Sequence, residues 1–211
     1  GIYALASRLA MVLYALNSIF NLAWQESAIL EFHKDGRDKF YSNIFKKYYV
    51  LELSIIVLLI PISKLFVLHF VGEDFIESWR YIPILYIGVA FAAFSSFFGT
   101  GYLSAKKTSG IFITTLCGAI VNIIVTCILV PIIGLQGAAI GISFGFFVTW
   151  LLRVIQTKKY FVITFDLKTM LFVFSLVCIS VVFVFVVSNL YFLLLFIIFV
   201  SIIFCVSNRV L

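Results

Sequence analysis

Seven long apolar runs constrain this chain more than any other feature. They cover about residues 2–30, 48–70, 81–103, 110–133, 135–155, 169–187 and 190–206, each bounded by charges, glycine or proline. Roughly 20 apolar residues in a helix cross the roughly 30 Å hydrocarbon core of a bilayer. Lipid offers no hydrogen-bond partner, so a spanning segment must satisfy its backbone internally. The runs are continuous and do not alternate, which argues against a transmembrane β-barrel. Composition agrees: 64% of the 211 residues are apolar and 11% are charged, against roughly 45–50% and about 25% in a soluble domain. Mean hydropathy is +1.22. A soluble core of this size cannot hide that much apolar surface. The expected fold is all-α: a polytopic transmembrane bundle of about seven spans.

Charge placement orients the bundle. Twelve of the fifteen Lys and Arg fall in alternate links: Lys34, Arg37, Lys39, Lys46 and Lys47 after the first run, Lys106 and Lys107 after the third, Arg153, Lys158, Lys159 and Lys168 after the fifth, and Arg209 in the tail. The opposite links hold Glu73, Asp74 and Glu77. The basic side is therefore expected in the cytoplasm, together with the C-terminus. The net charge of +6 then reflects membrane orientation and gives no reason to expect nucleic acid. The bilayer itself is the first partner. The odd count of seven runs and the start at Gly1 lead to the expectation that the chain belongs to a larger protein.

The polar minority is concentrated. In the first run Tyr3, Ser7, Tyr14, Asn17, Ser18, Asn21 and Gln25 fall within a sector of roughly 100° on a helical wheel. Such a stripe faces a wet cavity, for example one that binds sugar hydroxyls, or it hydrogen-bonds to neighbouring helices. Arg8 lies off the stripe and either contacts an anionic group or snorkels to the interface. Thr114, Gly118, Asn122 and Thr126 make a second stripe in the fourth run. The substrate-cavity candidates are Arg8, Tyr14, Asn17, Asn21, Gln25, Thr114 and Asn122. Gly137, Gly141 and Gly145 repeat at a spacing of four, the small-residue pattern that lets membrane helices approach closely.

Other polar residues carry weaker expectations. Glu52 is expected to pair at the surface with Lys46 or Lys47, with proton coupling as the alternative. Lys64, His69 and Arg80 are expected at the opposite interface. Pro61 and Pro83 are expected to bend their helices, and Pro131 to end the fourth. Cys117, Cys127, Cys178 and Cys205 all sit in apolar runs with no CxxC pair, so they read as packing residues. No DxD, HExxH, GxSxG or P-loop pattern occurs. Neither an enzyme nor a bound metal or cofactor is expected.

Residues 72–107 are followed by VNIIVTCILVPIIGLQGAAIGISFG at 121–145. Together with the opening GIYALASRLA, this order resembles the C-terminal half of bacterial polysaccharide transporters. These are O-antigen flippase-like members of the multidrug/oligosaccharidyl-lipid/polysaccharide exporter superfamily. Asn122, Pro131, Gly134 and the sequence Gly137-Ala138-Ala139 carry most of the likeness. The resemblance implies two pseudo-symmetric lobes around a cavity. Residues 1–160 would supply five helices of the second lobe, and residues 161–211 two additional C-terminal helices. It implies a flippase of the bacterial inner membrane that moves an undecaprenyl-pyrophosphate-linked glycan, with the first lobe of the same protein as partner. A cation-coupled small-molecule exporter and a membrane enzyme of glycan assembly are the alternatives. The exporter would favour a carboxylate deep in the membrane, and none is expected here.

Overall fold

A computed structural model of the chain describes residues 1–187. It contains α1 (Ile2–Glu31), α2 (Arg37–Phe70), a 3-10 helix (Glu73–Arg80), α3 (Ile82–Ser104), α4 (Ser109–Ile133), α5 (Leu135–Thr157) and α6 (Leu167–Val186). The described residues contain no strand. All six α-helices are long and apolar enough to cross a membrane, so the fold is a polytopic helical bundle. The expected seventh span, residues 190–206, lies outside the described residues.

α3 is the central and most buried helix. Its run of Ala, Gly and Ser makes it thin enough for α1, α2 and α5 to pack on it. α4 packs chiefly on α5, and α6 on α2. α4 and α5 form a hairpin whose only connecting residue is Gly134, at φ 63° and ψ −141°. Only glycine adopts that conformation readily. Further along the hairpin the two backbones nearly touch. A Cβ on Gly137 would lie 2.5 Å from the backbone carbon of Leu129, and one on Gly145 2.8 Å from the carbonyl of Gly118.

The second helix begins eleven residues before the apolar run that announces it. The polar stretch after α1 is mostly helix, because Tyr41, Phe45, Tyr48 and Tyr49 recur on one face and are buried. They join Trp24, Phe94, Phe97 and Phe98 in a continuous aromatic cluster. Gly36, at φ 82°, turns the chain from α1 into α2.

Two of the three prolines depart from expectation. Pro83 lies in the first turn of α3, where its missing N–H breaks no bond. Pro131 lies inside α4, which continues to Ile133. Pro61 lies inside α2 and cannot donate to the carbonyl of Val57 one turn earlier. That carbonyl instead accepts the hydroxyl of Ser180, fully buried on α6, at 3.0 Å.

Candidate functional site: a polar groove between α1, α3, α4 and α5

The groove exists because α3 presents small residues where its neighbours diverge. Ala92 and Ser96 of α3 line both parts of it, and Tyr14 of α1 borders both. On one side is a hollow of about 240 Å³, lined by Asn17, Ser18, Asn21 and Gln25. On the other is a cavity of about 580 Å³ between α3, α4 and α5, lined by Ser95, Thr115, Asn122, Thr149 and Arg153. The structure therefore brings Tyr14, Asn17, Asn21, Gln25 and Asn122 to one groove. The Oδ1 of Asn21 is buried without a hydrogen-bond partner.

Other candidates go elsewhere. Arg8 is exposed and borders a separate, mainly apolar hollow with Gly1, Leu5, Val71 and Phe75. Tyr3 packs edge-on against Tyr81 beyond the end of the groove. Thr114 is fully buried; its hydroxyl donates to the carbonyl of Gly110 at 2.8 Å and accepts from Arg153 Nε at 3.1 Å. The α4 stripe packs chiefly against α5: Gly118 approaches Gly145 and Thr149, and Thr126 approaches Gly141. Gly137, Gly141 and Gly145 all lie in this α4–α5 contact.

Three charged residues differ from the sequence expectation. Glu52 does not pair with a lysine at the surface. It is 2% exposed, and its Oε1 accepts from Asn17 Nδ2 at 2.8 Å. Tyr48 donates to the Oδ1 of the same Asn17 at 3.2 Å. Glu52 thus sits beside the middle of α1, a deep carboxylate that the sequence did not announce. The displacement follows from the early start of α2, which carries Lys46 away to pair with Asp166 at 2.9 Å.

Lys64 shares the Trp79 ring with Arg80, whose guanidinium carbon lies 5.8 Å from the ring centre, but it is not exposed as an interfacial lysine would be. It is buried, and its Nζ donates to the carbonyls of Val184 and Val187 at 2.6 and 2.9 Å. It also lies 4.3 Å from the centre of the Trp79 ring. A cation there offsets the negative end of α6.

Arg153 does not lie in a link. It sits inside α5 and is 7% exposed. Besides Thr114, it donates from Nη1 to the carbonyl of Ser95 at 2.7 Å and from Nη2 to Thr115 Oγ1 at 3.0 Å. Sequence reasoning placed it with the basic residues after the fifth run. The available signal was its spacing: Thr149, Arg153 and Thr157 recur every four residues and are all buried.

No family model, curated protein or solved structure matches the chain.

Proposed function

We propose that this chain forms one lobe of a multi-pass exporter of the flippase type. It would move the polar headgroup of a lipid-linked oligosaccharide across the bacterial inner membrane while the prenyl tail stays in lipid. The observation that carries this reading is the groove itself. Amide, phenol and hydroxyl groups line a cleft whose flanking helix faces are apolar and exposed, as at Ile19, Ile120 and Ile123. Neutral donors and acceptors of that kind suit sugar hydroxyls. The open side of the groove is the natural place for a second lobe, and alternating access would close the two around the headgroup. The reading is of a transporter, not an enzyme, with a cytoplasmic C-terminus from the charge placement.

A cation-coupled small-molecule exporter is the second reading, and Glu52 favours it. That carboxylate is buried beside Asn17 with no basic residue in ion-pair contact among the described residues.

The test is a proteoliposome assay with a fluorescent lipid-linked oligosaccharide and the full-length protein. The double variant Asn21→Ala/Gln25→Ala is expected to lower the transbilayer rate at least about tenfold, through lost hydrogen bonds to the moving headgroup. An unchanged rate would contradict the groove as the path. Transport of a small cationic dye in its place, abolished by Glu52→Gln, would establish the second reading.

A further inference from the structure

We propose that Arg153 and the hydroxyls beside it form a binding site for a phosphate group, the anionic subsite of the groove; as a step in transport it rests on the reading above.

The argument begins with hydrogen-bond capacity. A guanidinium carries five N–H donors. Thr114, Ser95 and Thr115 take one each from Nε, Nη1 and Nη2. One N–H on each terminal nitrogen is left over, so two donors remain for phosphate oxygens.

Charge gives the second step. Arg153 is 7% exposed, yet among the described residues no carboxylate is in ion-pair contact with it; the four ion pairs all lie elsewhere. A buried cation without a counter-charge is unfavourable. Lys64 meets the same difficulty with two helix-end carbonyls and a Trp ring. Arg153 has a single carbonyl and two hydroxyls, and it borders an unfilled space.

That space is the third step. The cavity beside Arg153 measures about 580 Å³, within the range of roughly 300–1,000 Å³ typical of small-ligand sites. Its other polar walls are neutral, among them Ser96, Thr115 and Thr149. Hydroxyls donate to phosphate oxygens, and no acidic side chain lines the cavity to repel them. The phosphate would come from a lipid headgroup entering from the bilayer or from free phosphate in water, and the chemistry of the site is the same for both.

Full-length protein in neutral phosphatidylcholine nanodiscs provides the test. Inorganic pyrophosphate and farnesyl diphosphate serve as the free and the lipid-borne probe. Binding is measured for the wild type, Arg153→Gln and Thr115→Asp. Thr115→Asp places a carboxylate against Nη2 and supplies the missing counter-charge from within, so it keeps the fold while blocking the site. Wild type is expected to bind farnesyl diphosphate, with both variants weaker by at least about tenfold. Binding of both probes assigns the site to phosphate from either source; binding of the farnesyl compound alone assigns it to a lipid headgroup. Equal affinity in wild type and Thr115→Asp, or no binding of either probe by the wild type, would overturn the site. A chain that binds phosphate but moves no glycan lipid contradicts the transport reading and leaves this site standing. A chain that moves glycan lipid with an affinity indifferent to both variants contradicts this site alone.

Discussion

The α2–α6 wall and the α1–α4–α5 groove bury similar kinds of polar residue and use them in opposite ways. In the wall, protein partners take up the buried polar groups. Ser180 satisfies the Val57 carbonyl that Pro61 leaves free. Lys64 closes the last carbonyls of α6. In the groove, capacity is left over: Asn21 has a bare carbonyl oxygen, and Arg153 has no carboxylate. A buried polar group consumed by its own fold is structural. One left with spare capacity beside a cavity points to a ligand.

Three substitutions break or sharpen this contrast. The largest effect is expected from Gly137→Ala. Its Cβ would strike the backbone of Leu129 and Val130, which cannot move aside as a side chain would. Separating α4 from α5 should cost about 3 kcal/mol, measured as unfolding in a denaturing-detergent titration. It should also distort the cavity around Arg153.

Lys64→Met comes next. It removes two charge-assisted bonds at the end of α6, and the loss should be about 2 kcal/mol. Hydrogen exchange should accelerate at residues 183–187, while glycan-lipid transport persists because the groove is untouched. Transport lost in proportion to stability would mean that the two regions are not separable.

The smallest effect concerns the start of α6. The Asp166 carboxyl is held well below the usual carboxylate range, first by Lys46 and then by Thr169. It accepts from the backbone N–H of Thr169 and so caps the helix. A depressed folded-state value means that this stabilisation is complete above the unfolded value of about 4. It is lost as pH falls from there through the folded value. Lys46 and Asp166 are 35% and 37% exposed, so salt should weaken the effect further. Exchange in the first turn of α6 should rise on acidification, and Asp166→Asn should remove that acid limb.

These residues also show what was legible in advance. The spans were readable because hydropathy and length act locally. The groove residues on α1 were readable because lipid does not tolerate a polar stripe. The start of α2 was obscured by Lys39, Lys46 and Lys47, which made a helix look like a link although Tyr41, Phe45 and Tyr48 already kept helical time. The burial of Glu52, Lys64 and Arg153 was missed for one shared reason. Each is hydrogen-bonded by residues far along the chain: Asn17, the end of α6, and the α3–α4 pair respectively. Proximity in sequence to a charged link says nothing about such partners. The second stripe was seen but its packing on α5 was not, since a helical wheel shows a face and not what packs on it.

The central claim is that the groove is wet while equally exposed apolar faces lie in lipid. Cysteine accessibility tests it most directly. In a background with the native cysteines replaced by alanine, Asn21→Cys, Asn122→Cys and Ile19→Cys are treated in native membranes with a small, charged thiol reagent. Ile19 is 66% exposed on the outer face of α1, so exposure alone would favour it. The account predicts that Asn21→Cys and Asn122→Cys react at least about tenfold faster than Ile19→Cys, because thiolate and reagent both require water. Equal silence at all three positions would mean a dry groove and would contradict the account.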